Sequence, residues 1–463
     1  MSRIETINPA TGKVIATYDN ESPEQVSQKV KAARAAFAKW KKLEMSERVE
    51  YMRRLGRVMR KNREQYARIV TEEMGKPIRQ SLAEIEKCAW VCDYYADHAE
   101  VFLRDELIPT EFRKSFVSFE PLGVVACIMP WNFPFWQVMR FAVPALTAGN
   151  VGVLKHSSIC LGSAMKLEQA FKDAGFPESV FQVVIGDYRA GEALVQSSID
   201  AVSVTGSVNT GRRVAELASQ DLKKFVLELG GSDPFIVLED ADLTQTAYMA
   251  TQSRLLNTGQ SCIAAKRFIV VKEVAEKFTK LFVENTQAEV MGDPLDSKTT
   301  VGPLVRDSQR QTLAKQVEDA RSKGGKILAG GQPVKRDGFF YEPTIISNVN
   351  HEMEVVKEEV FGPAAPIIIV NNEEEAVREA NNSEFGLGAS IWTNNIDRGI
   401  KLARQIESGI VSVNEMVRSD PRLPFGGIKK SGIGRELSEF GIKEFVNIKS
   451  VVVKDITSKL LVE

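Results

Sequence analysis

Cysteine is sparse in this chain of 463 residues. Its five positions, Cys88, Cys92, Cys127, Cys160 and Cys262, include no CxxC pair. An odd number without paired spacing speaks against a disulfide framework and for free thiols in a reducing compartment. No metal-ligand set is expected. Histidine is scarcer still, at His98, His156 and His351. None lies in a motif that pairs an imidazole with a thiol, which disfavours a cysteine hydrolase. No window approaches about 18 consecutive apolar residues, and the opening stretch MSRIETINPATG has no apolar run of signal-peptide length, so no membrane partner and a cytoplasmic location are expected. An excess of one charge is also missing. The formal net charge of −1 gives no bulk attraction to nucleic acid or anionic membrane.

What is present is globular in character. With 43% hydrophobic and 26% charged residues, and a length past that at which one core stops growing, two or three domains are expected. At Ser22 the pattern SPEQ predicts a helix start: an N-cap serine, a proline at the first helical position, and Gln25 three residues on. Val26, Val30, Ala33, Phe37 and Trp40 follow at helical spacing. Further helical patterns over 46–74 and 80–102 make the first hundred residues mainly helical. The spacing of Cys88 and Cys92 is that of two half-buried helix residues.

The grammar then changes to short apolar runs: 123–130, 151–156, 180–186, 201–207 and 225–231, the first four separated by segments of helical length. Such alternation predicts an α/β fold with a parallel, doubly wound sheet, which binds ligands at the carboxyl ends of its strands. A second α/β series begins near Asp233. The expected boundary lies between the fifth strand and Pro234, with Gly230 and Gly231 at a hinge over a cleft. The tail 445–455 is strand-like with nothing beyond it to pair with locally. An open edge is a liability, so it is expected to complete a sheet, whether in its own chain or in another subunit.

The chemistry gathers around NTGQSCIAAKR (257–267). Cys262 stands among small and polar residues, outside the apolar alternation that a packed thiol favours, although a lone cysteine is more often core than nucleophile. Asn132 in PWNFP (130–134) follows a buried strand, where a carboxamide can donate to a developing oxyanion or simply form a turn before Pro134. Lys155, His156, Ser157 and Ser158 end the next strand and suit ribose hydroxyls or a phosphate. Gly206 and Ser207 lead through Gly211 into a helix, a place for a pyrophosphate. Glu228 lies inside an apolar run, where burial raises a carboxyl pKa toward that of a general base. Its structural alternative is a solvated glutamate on a strand face. A thiol, a base, an amide donor and a dinucleotide-sized site together suit oxidation of a carbonyl through a thioester.

PWNFP, LELGGSDP (227–234), NTGQSC, EEVFGP (358–363) and PFGGIKKSGIGRE (424–436) occur in an order that resembles the NAD(P)-dependent aldehyde dehydrogenase superfamily over nearly the whole chain. The KHSS cluster and RSDPRLPFGG are similar to those of bacterial and archaeal succinate-semialdehyde dehydrogenases. The resemblance implies a Rossmann-type cofactor domain (1–105 and 122–232), a catalytic domain (233–430), and an oligomerisation element (106–121 and 431–463) that builds dimers or tetramers.

It further implies that Cys262 is the nucleophile. Asn132 and the Cys262 backbone N–H would hold the oxyanion, and Glu228 would activate the hydrolytic water. Glu359 would bind the nicotinamide ribose and Phe361 would flank the ring. Trp131, Lys155, Ser158, Gly206, Ser207 and Leu229 would line the rest of the NADP or NAD site. Ser158 occupies the position where strictly NAD-dependent members often carry glutamate, so NADP is expected to be used, even preferred, with Lys155 and His156 beside its 2′-phosphate.

Arg140 stands where related semialdehyde enzymes place an arginine on the substrate carboxylate. A guanidinium suits that role, while an arginine on a helix rim is the structural alternative. A second arginine used by those enzymes is replaced by Leu256, for which Arg418 or Ser419 would substitute. This leaves room for glyceraldehyde, lactaldehyde or another short aldehyde. A coenzyme-A-acylating enzyme is disfavoured by Glu228, and a non-catalytic role by the presence of Cys262, Glu228 and Asn132 together.

Overall fold

The computed structural model describes residues 3–455. The capping box at Ser22 is formed. Ser22 Oγ accepts from the Gln25 N–H at 3.3 Å, and Gln25 Oε1 accepts from the Ser22 N–H at 2.8 Å. The helix it opens, Pro23–Trp40, buries Val26, Val30, Ala33, Phe37 and Trp40, the stripe predicted from spacing. The long helical pattern after it is two helices, Met45–Lys61 and Arg63–Met74, interrupted at Asn62, whose backbone leaves helical geometry at φ −104, ψ 15. Helix Ile78–Leu103 then buries both Cys88 and Cys92.

The strands Lys326–Ala329 and Thr344–Ser347 were not anticipated, nor was an antiparallel hairpin of Arg3–Asn8 and Lys13–Asp19. The hairpin residues are mostly exposed, so no strong apolar alternation marks them. The turn signal does: Asn8 Oδ1 accepts from the Ala10 N–H at 2.9 Å and Gly12 takes φ 70, as Asx turns and glycines do.

Two sheets follow. The first runs Gly432–Ile433, Lys224–Glu228, Ala201–Thr205, Val124–Met129, Val151–His156, Phe181–Val184. Every pairing is parallel except that of the short Gly432–Ile433 edge. The chain enters at Val124–Met129, winds outward through Val151–His156 to Phe181–Val184, and crosses back to Ala201–Thr205. The switch point therefore lies at the carboxyl ends of Val124–Met129 and Ala201–Thr205, where α/β sheets take their ligands.

The second sheet runs Lys326–Ala329, Thr344–Ser347, Ala364–Val370, Ala265–Val271, Asp233–Val237, Gly388–Trp392, Ile410–Val413. It is antiparallel only at its first pair. Strands such as Val151–His156 and Ala265–Val271 are buried along their whole length, as a parallel sheet covered on both faces requires. Sheet membership changes between Glu228 and Asp233 and changes back at Gly432.

The tail completes a sheet, as expected, with a strand of its own chain. Val446–Val453 pairs antiparallel with Lys114–Pro121 of the same chain, and Glu106–Leu107 lines the far side of that strand. Among the described residues its outer edge carries no strand. Residues 456–463, the end of the expected oligomerisation element, lie outside the described residues. No helix among the described residues is long and apolar enough to cross a membrane.

Candidate active site

A cavity of about 910 Å³ opens between helices Ile78–Leu103, Trp136–Thr147 and Leu243–Leu255. Its wall includes Cys262, Arg140, Arg418 and Ser419, together with Phe133, Trp136, Leu256 and Phe425. This is the size of a small-molecule site. Cys262 is half-buried on that wall, whereas the other four cysteines are fully buried. Desolvation pushes the Cys262 thiol up to about 11; Arg140 and then Lys266 are the cations that pull it down.

The turn that presents Cys262 is held in an unusual backbone. Asn257 and Thr258 adopt φ 53 and 57, followed by Gly259 at φ 75. Left-handed non-glycine residues cost roughly 1–2 kcal/mol each, so the surroundings must over-determine them. They do. The Gln80 carboxamide accepts from the Asn257 N–H at 2.7 Å, Asn257 Nδ2 donates to the Asn132 carbonyl at 2.8 Å, and Arg254 donates to the Gly259 carbonyl at 2.7 Å.

Lys266, fully buried, donates to the Ser261 carbonyl at 2.9 Å and to the Cys262 carbonyl at 2.6 Å. In a trans peptide the N–H points opposite to the C=O. Fixing the Ser261 carbonyl on the ammonium therefore aims the Cys262 N–H the other way, and that N–H has no acceptor among the described residues.

Asn132 lies beside the same turn. Its Oδ1 accepts from Gln137 Nε2 at 3.0 Å and its Nδ2 donates to the Gln260 carbonyl at 3.1 Å. One N–H of the carboxamide is thereby spent on orientation and the other is left to donate. The fixed amide and the idle Cys262 N–H are each donors of the kind expected to meet an oxyanion.

Glu228 ends its strand fully buried, with neither carboxylate oxygen hydrogen-bonded among the described residues. It is not on the cavity wall and sits against Gly426, where a Cβ would lie 2.6 Å from Oε1. Burial, and then the Glu436 carboxylate, hold its pKa well above the usual carboxylate range, with Arg140 pulling the other way. Glu436 closes the motif PFGGIKKSGIGRE, and sequence reasoning gave it no role. Arg140 is buried, ion-paired with Glu436, donates to Thr205 Oγ1 at 3.3 Å and stacks over the Phe425 ring at 4.3 Å. The arginine expected to meet a substrate carboxylate thus already faces a protein carboxylate.

Ser419 is buried and accepts from Lys87 Nζ at 2.7 Å and from Trp136 Nε1 at 3.1 Å. Arg418 is exposed and pairs with Glu415 at 3.4 Å.

The expected dinucleotide residues Trp131, Lys155, Ser158, Gly206, Ser207 and Leu229 stand at or just beyond the carboxyl ends of strands of the first sheet. Ser207 caps helix Val208–Ser219, its Oγ accepting from the Thr210 N–H at 3.2 Å, so the first turn of that helix opens at the switch point. Leu229 packs on Gly211, and Trp131 meets Phe361 edge to face at 5.6 Å. Glu359 Oε1 accepts from the Gly231 N–H at 3.1 Å and lies 3.5 Å from Lys266.

Gly230 and Gly231 lie where the chain passes from the first sheet to the second, the expected boundary, and also mark a close approach. A Cβ on Gly230 would sit 2.4 Å from Glu359 Oε2, and one on Gly231 2.8 Å from the Cys262 carbonyl. Lys155 is buried, and desolvation lowers it to about 8; Ser158 is part-exposed just after the strand. His156 is corrected by the structure. Its ring is fully buried and donates to the Pro134 carbonyl at 2.9 Å, and burial lowers it to about 4, so it is neutral and turned away from any phosphate.

These groups fix a pH dependence. Burial raises the pKa of both Cys262 and Glu228, and the roles expected of them, nucleophile and base, call for the anions. With the thiol at about 11 and the carboxyl also raised, activity that uses both as anions is expected to climb with pH from neutrality toward about 11. A kcat/KM profile that is flat or falls over that range contradicts the assignment.

The comparisons with known proteins agree in kind. Residues 1–451 match the model of the aldehyde dehydrogenase family. The chain is 47% identical over 449 residues to a probable succinate-semialdehyde dehydrogenase [NADP(+)] of Synechocystis sp., covering 97% of this chain and 99% of that one. It is 43% identical to the succinate semialdehyde dehydrogenase [NAD(P)+] of Escherichia coli, covering 96% and 97%. The crystal structure of succinic semialdehyde dehydrogenase from Streptococcus pyogenes in complex with NADP+ superimposes with a TM-score of 0.95 at 36% identity, covering 98% of this chain and all of that one. With its thiol, donor pair and buried carboxyl on the α/β frame these relatives share, the chain belongs to the aldehyde dehydrogenase family.

Proposed function

We propose that this protein oxidises succinate semialdehyde to succinate with NADP, and with NAD less readily. The observation that carries the reading is Cys262 on the wall of a cavity that also bears cationic side chains and a serine hydroxyl suited to a distal carboxylate. The names of the relatives point the same way.

The Cys262 thiolate attacks the aldehyde carbon and forms the C–S bond. The free Asn132 N–H and the Cys262 N–H receive the oxyanion. NADP, when bound, would supply the acceptor for the hydride that leaves the adduct carbon, and the product would be an acyl thioester on Cys262. Glu228 takes a proton from water, hydroxide adds to the thioester carbon, and the C–S bond breaks to release the acid and the thiolate. Arg140 holds Glu436 and bears on the charge of both Cys262 and Glu228. In this reading it can also reach the substrate carboxylate from the wall, with Ser419 beside it and Arg418 at the mouth.

The coenzyme groups fit. The first turn of Val208–Ser219, with Gly206 and Ser207, suits a pyrophosphate. Lys155 and Ser158 suit a ribose with or without a 2′-phosphate. Trp131, Leu229, Glu359 and Phe361 complete the site.

The reading carries the domain division with it: 1–105 with 122–232 for the coenzyme, 233–430 for catalysis, and 106–121 with 431–463 for assembly into a homodimer or homotetramer in the cytoplasm. The open edge of Val446–Val453 supports the last part.

Leu256 on the cavity wall, where a second arginine would stand, favours one alternative, a short aldehyde such as glyceraldehyde or lactaldehyde. A kcat/KM panel of aldehydes with and without a terminal carboxylate, run with each coenzyme, decides. Succinate semialdehyde with NADP is expected to lead. No carboxylate preference overturns the substrate, and strict NAD dependence overturns the coenzyme.

A further inference from the structure

We infer that Lys87 selects for aldehydes bearing a distal carboxylate, its ammonium and the Ser419 hydroxyl together holding that group. The inference rests on the succinate-semialdehyde reading and deepens it by naming the cation that does the selecting.

Helix Ile78–Leu103 presents Gln80, Ala83, Glu84 and Lys87 to the cavity, a spacing that puts all four on one helical face. The two carboxylates on the cavity wall are otherwise engaged. Glu84 is bound by Lys76 and accepts from the backbone N–H groups of Phe135 at 2.9 Å and Trp136 at 3.0 Å. Glu289 accepts from Gln252 at 3.0 Å. Among the described residues no carboxylate pairs with Lys87. One of its N–H groups goes to Ser419 Oγ at 2.7 Å, and the ammonium lies over the Trp136 ring at 4.4 Å. An ammonium has three donors, so it keeps one for a ligand.

The Ser419 hydroxyl accepts from both Lys87 and Trp136, which leaves its own proton to donate. Ammonium and hydroxyl therefore form a two-donor receptor without a resident anion. Arg140 differs, because Glu436 already balances its charge. Burial, and then Arg140, lower Lys87 to about 8; Arg418 acts in the same direction, and Cys88 and Asp420 oppose it. A bound carboxylate would offset that penalty.

The test is turnover of succinate semialdehyde and of butanal, which has the same carbon number without the carboxylate, by wild type, K87M, K87Q and K87R. In K87M and K87Q the ratio of kcat/KM for succinate semialdehyde to that for butanal is expected to fall about 10- to 100-fold, mostly through KM, as expected for a lost charge-assisted hydrogen bond. K87R should keep the ratio within about tenfold, since the charge is retained. An unchanged ratio in K87M and K87Q overturns the inference. So does an equal loss for both aldehydes, because a residue that holds the carboxylate has no reason to slow a substrate lacking one. If wild type shows no preference for succinate semialdehyde over butanal, it is the functional reading that fails, whereas a wild-type preference that survives K87M removes Lys87 alone.

Discussion

Replacing Cys262 by alanine should abolish aldehyde oxidation, by roughly 10⁴-fold or more with every substrate, while NADPH still binds with close to wild-type affinity. The two effects separate because the thiol faces the cavity, whereas the groups suited to the coenzyme, Gly206, Ser207, Lys155 and Glu359, lie on other elements. The substitution is also mild for the fold. Cys262 is half-buried at a turn whose shape is set by bonds to backbone groups from Lys266, Arg254 and Asn257. Stopped-flow NADPH absorbance together with fluorescence titration of NADPH checks both halves. Residual oxidation near wild-type level would mean that another group makes the covalent bond.

Replacing Glu228 by glutamine should give the opposite kinetic shape, a burst of about one NADPH per active site and then a steady rate lower by about 10²- to 10⁴-fold. The amide is nearly isosteric with the neutral carboxyl that burial and Glu436 favour at rest, so the site should keep its form and lose its base. The acyl enzyme should then be trapped on Cys262 and visible as a mass increase of the intact protein. A variant that slows burst and steady state alike would place Glu228 in the first chemical step instead. Rescue of E228Q turnover by added coenzyme A, with acyl-coenzyme A as product, would show that the thioester is open to an external thiol.

Much of this arrangement was legible in the sequence because the signals were local or periodic. The capping box at Ser22 and its five-residue stripe needed only helical spacing. The buried parallel strands were visible as apolar runs, and Cys262 stood out by failing to fit one. The rest was invisible for a physical reason: it depends on contacts between segments distant in the chain. Arg140 reads as a free cation until Glu436, nearly three hundred residues later, is folded against it. Lys87 reads as one more charged helix residue, and only packing shows that its neighbour Glu84 is consumed by the Phe135 and Trp136 amides. His156 reads as a phosphate ligand because its spacing from Lys155 is known but its orientation is not. The hairpin Arg3–Asn8 and Lys13–Asp19 was missed because exposed strands carry weak alternation.

The grip of Lys266 on the two carbonyls at the nucleophile has a further consequence. With the peptide planes on both sides of Cys262 anchored from behind, the sulfur keeps one soft degree of freedom, rotation about its own Cα–Cβ bond. In the proposed reaction, approach to the substrate and retreat from the product would then amount to a twist of one side chain on a fixed pivot, and the proposed oxyanion donors would not need to rearrange as the acyl group comes and goes.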